Sequence, residues 1–305
     1  MASPKLRAFR ERTLYRALIV VSAIGRCIPL RIGQFLGRAL GRLAWYVARR
    51  ERNKAIANLA IAFPDWSDAQ RRETIRAMFQ HLGMSVFELA WMPNLDQQKL
   101  ARTTTIEGFD RVLSHIDAGR GVIVFTAHCG NWEWLSYVTG MSGRPVAVLQ
   151  RERDQPEMNR YITELRAKAG VRTIDRGSPS SARDMINAIR RGGILAFVVD
   201  QNIRTESVNV SFFGRPALTP LGPAKFAVRT EALVVPAVAE RSPDGTHHLM
   251  FLEPIDLKRN DDPIALLARV TVLIEEQIRR QPAQWVWMHD RWRERPKWDV
   301  SEADL

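Results

Sequence analysis

Cysteine is nearly missing from this 305-residue chain: Cys27 and Cys129 are the only two. They lie far apart in unrelated contexts, which leaves no disulfide framework and no thiolate metal cluster and fits a reducing compartment. Gly-x-Ser-x-Gly, Gly-x4-Gly-Lys-Ser/Thr, Gly-x-Gly-x2-Gly and Asp-x-Asp are all absent. Their absence weighs against a serine hydrolase, a P-loop enzyme, a Rossmann dehydrogenase and a metal-dependent glycosyltransferase. Neither zinc-finger spacing nor an RNA-binding motif occurs, so nucleic acid is not an expected partner. Internal repeats and low-complexity runs are missing too.

Acidic residues are scarce at one end only. Residues 1–60 carry thirteen Lys/Arg against Glu11 and Glu51, a net +11 of the chain's +12. The remaining 245 residues balance 32 basic with 31 acidic side chains. Long apolar runs are also lacking: Ala17–Gly25 is uncharged but spans only nine residues between Arg16 and Arg26, and a bilayer needs roughly 20. Extension to Leu30 would bring Arg26 and Pro29 inside a spanning helix. The short apolar core, without a following cleavage site, does not suit a signal peptide.

The next segment is amphipathic. Ile32, Phe35, Leu36, Ala39, Leu40, Leu43 and Val47 recur at three and four, while Arg31, Arg38, Arg42 and Arg49 occupy another face. An apolar stripe with an arginine stripe describes a helix lying on an anionic membrane surface, and the flanking arginines favour the cytoplasmic side. Residues 1–52 are therefore expected to be a membrane-associated segment, 53–298 an α/β domain and 299–305 a polar tail.

Helices are expected at 53–62 and 67–91, then at 107–118, 131–139, 156–169, 180–191, 219–230 and 262–281. Strands are expected at 121–126, 145–149, 194–199, 233–239 and 247–252. This alternation implies an α/β fold with one mostly parallel or mixed sheet covered by helices.

Candidate chemistry concentrates where the apolar run Gly121–Thr126 ends in Ala127 and His128, followed by Gly130, Asn131 and Glu133. A strand delivering a histidine, then a helix carrying a carboxylate, can build a base and its orienting partner. The spacing alone is weak, because His248/Glu253 and His289/Glu294 share it. His248 and Glu253 lie on one strand after an Asp244-Gly245 turn and face opposite sides, and His289 follows no apolar strand. A second strand, Ile194–Val199, ends in Asp200-Gln201-Asn202. Sites in such sheets form beyond the carboxyl ends of strands, so His128 and Asp200 share one rim if their strands are neighbours. Arg166, on a helix, is suited to a bidentate grip on phosphate or carboxylate. Phe213-Gly214-Arg215 precede a helix start near Thr219-Pro220 that is suited to an anion.

Together these residues resemble the bacterial lipid A biosynthesis (lauroyl/myristoyl) acyltransferase family, within the lysophospholipid acyltransferase superfamily. The resemblance covers about residues 12–297. It rests on the ordered set Arg52…Asn58-Leu59…Phe63-Pro64, His128-Cys-Gly-Asn-Trp-Glu133, Arg166…Gly170, Asp200-Gln201, Phe212-Phe-Gly-Arg-Pro-Ala217 and Pro282–Trp292. It implies fatty acyl transfer from an acyl carrier protein or CoA thioester to a hydroxyl of a lipid A precursor, at the cytoplasmic side of the inner membrane. No metal or bound cofactor is implied. In this reading His128 is the base and Glu133 holds its imidazole. Arg166, Asp200, Gln201, Phe213, Gly214 and Arg215 bind substrate or support the site, and backbone amides near Gly130 and Asn131 serve the oxyanion. A Cys129 nucleophile is disfavoured, since neighbouring residues at a strand end point apart. Two alternatives stay open: acylation of another glycolipid or lysophospholipid, and a non-catalytic membrane-binding protein.

Overall fold

The computed structural model describes residues 22–151, 156–190 and 192–293, together with 13, 15, 16, 19 and 20. Seven strands form one sheet in the order β1 (Thr104–Glu107), β9 (His247–Phe251), β8 (Leu233–Arg241), β2 (Val122–Thr126), β5 (Ile194–Val198), β3 (Val146–Gln150), β4 (Val171–Asp175). The five strands from β8 to β4 are parallel. The β8–β9 hairpin reverses direction through the Asp244-Gly245 turn, and β1 joins parallel to β9. The sheet is therefore mixed and mostly parallel, as the alternation predicts.

Both faces of the central strands are apolar, because each face has its own layer of helices. On β2, Val122 and Val124 pack with α5 (Phe109–Asp117), α6 (Trp132–Gly140) and α7 (Pro156–Ala167). Ile123 and Phe125, pointing the other way, pack with α8 (Ser181–Arg190), α9 (Gly222–Thr230) and α10 (Pro263–Arg280). Alternating side-chain direction along a strand makes this division.

Five elements escape the sequence reading: α4 (Gln97–Thr103), β1, β4 and the two strands of an antiparallel hairpin, β6 (Ser207–Phe212) and β7 (Arg215–Pro220). The hairpin corrects the expected helix start at Thr219. Thr219 and Pro220 belong to β7, and α9 begins at Gly222.

The amino-terminal helices are built into the body. α2 (Arg49–Ala62) runs unbroken through residues 52 and 53, where the sequence placed a boundary. α1 (Leu30–Val47) packs along α3 (Asp68–Trp91) by glycine rather than by its large apolar residues. Gly33, Gly37 and Gly41 form its buried ridge with Gln34 and Trp45, and a Cβ on Gly37 would sit 2.5 Å from the Gly83 carbonyl oxygen. Such backbone contact tolerates only hydrogen in the side-chain position. The large residues consequently face outward: Phe35 is 68% exposed, Leu43 59%, Tyr46 65% and Val47 74%. Among the described residues, no helix is long and apolar enough to cross a membrane.

Candidate active site

β2 and β5 are neighbours in parallel register, with Thr126 opposite Val198. Two residues further on, His128 and Asp200 meet. Asp200 Oδ1 lies 2.8 Å from His128 Nδ1, and Asp200 Oδ2 accepts from the His128 backbone N–H at 3.0 Å. Oδ2 also accepts from the indole N–H of Trp285 at 2.7 Å. Burial pushes the Asp200 carboxyl up, but His128, Trp285 and the backbone amide outweigh it and bring the pKa down to about 2. An ionised carboxylate can only accept, so Nδ1 carries a proton, and in the neutral imidazole it is Nε2 that presents the lone pair. Among the described residues, no group bonds Nε2.

This arrangement corrects the expected His128–Glu133 pairing: the carboxylate on the imidazole is Asp200. Glu133 is gripped instead by Arg166, whose Nε donates to Oε2 at 2.9 Å and Nη2 to Oε1 at 2.7 Å, while Nη1 donates to Gln150 Oε1 at 2.7 Å. Both members of the pair are buried. The turn between His128 and Glu133 explains the outcome. Gly130 takes φ +57, and a side chain there would strike the Ala239 carbonyl. Cys129 bridges Trp285 in antiparallel fashion, Gly130 N–H donates to Gln284 O at 2.8 Å, and Val286 N–H donates to His128 O at 3.2 Å. The closing segment, a 3-10 turn at Pro282–Gln284 followed by a single bridge at Trp285, thus lies across the turn. It supplies Trp285 to Asp200, and α6 then starts with Glu133 directed to α7.

One further expectation changes. The Gly130 amide is already bonded to Gln284, so it is not an oxyanion donor. The Asn131 side chain is committed as the cap of α6, with Oδ1 accepting from Trp134 N–H at 3.0 Å and Nδ2 donating to Glu88 Oε2 at 2.7 Å. The first-turn amides of Trp132 and Glu133 are the helix-start donors that an α-helix leaves without internal partners.

Phe213, Gly214 and Arg215 form the turn of the β6–β7 hairpin and open no anion site at a helix start. Phe213 takes φ +53 and packs on Phe63 and Trp287 at centroid distances of 5.4 and 6.0 Å, while Arg215 is exposed. Phe212 lies 5.7 Å from Trp285, so this motif buttresses the segment that bonds Asp200. Gln201 is half-buried beside Asp200. His289, though not at a strand end, accepts from Asn202 N–H at 2.9 Å through Nε2; burial lowers its pKa. Glu294 lies outside the described residues. Cys129 is buried, and burial together with Asp200 pushes its thiol well above the usual range, which disables it as a nucleophile.

Beside the histidine, a largely aliphatic cavity, part of it open to solvent, runs along the sheet face under α6. Val124, Val146, Val148, Ile194, Ala196 and Val198 line it, and Glu133 and Arg166 are its charged residues. Trp132 joins cavity and base: it lines the cavity, and its ring lies 4.8 Å from the His128 ring.

A histidine held by a buried aspartate, next to an aliphatic cavity on an α/β sheet, is the arrangement of an enzyme that could deprotonate a hydroxyl beside an apolar group. Comparison with known proteins agrees. The family model described as bacterial lipid A biosynthesis acyltransferase matches residues 2–294, and the chain belongs to that family, whose activity is O-acyl transfer. It is 27% identical to the lipid A biosynthesis lauroyltransferase of Escherichia coli (strain K12) over 88% of both chains. With the lipid A biosynthesis palmitoleoyltransferase of the same organism it shares 26% identity over 91% of this chain and 89% of that one. A phosphatidylinositol mannoside acyltransferase of Mycobacterium tuberculosis is 24% identical over 67% of this chain and 66% of its own length.

Proposed function

We propose that this protein moves a fatty acyl chain from an acyl carrier protein or CoA thioester to a hydroxyl of a lipid A precursor, at the cytoplasmic face of the inner membrane. The observation that carries the reading is the His128–Asp200 pair, whose Nε2 is unbonded among the described residues, beside the aliphatic cavity. Nε2 takes the proton of the acceptor hydroxyl as the oxygen attacks the thioester carbonyl. Asp200 holds Nδ1–H and stabilises the transient imidazolium. The ester C–O bond forms, the C–S bond breaks, and the imidazolium returns its proton to the departing thiolate. Helix-start amides at Trp132 and Glu133 serve the tetrahedral oxyanion. The hydrocarbon chain occupies the cavity, with the Glu133–Arg166 pair at its polar end. The thioester is the only co-substrate, and no metal or bound cofactor takes part.

Support for membrane association comes from α1, whose outward Phe35, Leu43, Tyr46 and Val47 lie among exposed Arg31, Arg38, Arg42 and Arg49. Apolar residues enter the acyl boundary while arginines meet anionic headgroups. For the acidic carrier protein, exposed Arg151 and neighbouring Arg176 offer positive charge; Arg153 lies outside the described residues. The mannoside acyltransferase among the relatives favours one second reading, a different glycolipid acceptor.

The test incubates membranes containing the protein with acyl-carrier-protein thioesters and a tetra-acylated saccharolipid, with mass spectrometry of the lipids. One added acyl group from wild type, and none from His128→Ala, is the expected result. An added acyl group only on a glycolipid or lysophospholipid would move the assignment to that acceptor. Cellular function unaffected by His128→Ala would point to a non-catalytic membrane-binding role.

A further inference from the structure

A second buried carboxylate stands behind the catalytic turn, on residues that the acyl-transfer chemistry does not use. Glu88, on α3, is wholly buried. Its Oε1 accepts from Arg241 Nε at 2.9 Å and from Gln34 Nε2 at 2.8 Å; its Oε2 accepts from Asn131 Nδ2 at 2.7 Å and from Arg241 Nη2. His247 Nε2 lies 3.3 Å from Oε1 without hydrogen-bond alignment. Burial pushes the carboxyl up, yet Arg241 and His247 hold it well below the usual carboxylate range. The charge is therefore permanent, and it faces a permanent guanidinium.

The connections all lead to one place. Asn131 is held at both ends, by Glu88 and by the Trp134 amide that it caps. Gly130 donates to the Gln284 carbonyl, and the Gln284 side chain clasps the Arg241 backbone N–H and C=O, both at 2.8 Å. Glu88 and Arg241 thus fix residues 130 and 131 by two independent routes, and Gln34 extends the same cluster to α1. A buried ion pair is a poor source of net stability compared with apolar residues of the same volume. Its specific product here is the setting of the turn between His128 and the start of α6.

We propose that Glu88 is a positioning residue of the acyl-transfer site, acting through Asn131 on the turn that sets His128 against Glu133 and the helix-start amides. The inference rests on the proposed acyl-transfer reading. Small displacements of reacting groups cost about 10- to 100-fold in rate, and the test separates that from a loss of folding. Asn131→Ser keeps a good helix cap but loses the reach to Glu88. It is expected to lower kcat about 10- to 100-fold, with KM for the acyl donor and Tm close to wild type. Glu88→Gln should lower both kcat and Tm. The double variant Glu88→Leu/Arg241→Met removes both buried charges, so Tm recovers while kcat stays low. Wild-type kcat in folded Asn131→Ser overturns the proposal, as does recovery of kcat together with Tm in the double variant. If wild type transfers no acyl group to any acceptor, the functional reading alone fails. The downfield proton NMR signal of His128 Nδ1–H then decides: Glu88 positioning predicts a shift or broadening in Asn131→Ser, and an unchanged signal overturns it.

Discussion

Two carboxylates, Asp200 and Glu88, are buried equally well and used differently. Each accepts several hydrogen bonds, and each is held ionised by a cationic or cation-forming neighbour. The partner of Asp200 is an imidazole whose second nitrogen no described group bonds, whereas the partner of Glu88 is a guanidinium whose donors are spent on Glu88, Ser85 and His81. His81 accepts from Arg241 there, and burial followed by Arg241 pushes its pKa down to about 3, so it stays neutral. Chemistry resides where the partner is an imidazole, which can accept a proton from a substrate; a guanidinium can only hold a shape.

The largest expected effect at the reactive pair is that of His128→Ala, which removes the base and should lower acyl transfer by about 10²- to 10⁴-fold, measured as product lipid by mass spectrometry. Asp200→Asn should follow closely, because an amide can settle the imidazole in the wrong tautomer. Asp200 also carries an acid signature. Its folded pKa of about 2 lies below the ordinary 3.8, so its contribution to stability is complete above pH 4 and lost as pH falls towards 2. Acid unfolding followed by circular dichroism should lose that component in Asp200→Asn.

Glu133→Gln sharpens the comparison from the other side. It strands Arg166 in a buried position, and breaking a buried pair costs about 3–5 kcal/mol, readable as a lowered midpoint in urea. An equal loss of stability from Asp200→Asn and Glu133→Gln, with activity lost only in the former, would separate base from scaffold. On the exterior, Leu43→Glu should leave the unfolding midpoint within about 0.5 kcal/mol while weakening flotation with anionic vesicles. The smallest effect belongs to Cys129→Ser, in which acyl transfer should persist; abolished turnover with intact fold would reinstate the thiol.

Much of this was legible in the sequence. The apolar runs at 122–126 and 194–198 give two strands, and each delivers a polar residue at its carboxyl end, which is where a parallel sheet builds sites. The wrong partner for His128 came from counting residues along the chain. Five positions separate His128 from Glu133, but the glycine turn and the segment crossing it at 284–286 take up the interval and direct Glu133 to Arg166. Spacing does not encode that path. Arg241 and Glu88 were hidden for a related reason: each reads locally as a surface charge, and its burial depends on a partner more than a hundred residues away. The hairpin at 207–220 was obscured by its prolines, which sit on a two-stranded ribbon where few ladder bonds are lost. One signal was available and unused. Gly33, Gly37 and Gly41 recur every four residues beside the apolar stripe, and that ridge, not the stripe, is what α1 buries.

The most direct test of the central claim is the proton NMR spectrum of the histidine ring N–H region in wild type, Asp200→Asn and Glu133→Gln. If Asp200 holds His128, a downfield Nδ1–H signal present in wild type disappears in Asp200→Asn and survives in Glu133→Gln. A signal that survives loss of the Asp200 carboxylate and vanishes with Glu133→Gln would contradict the account.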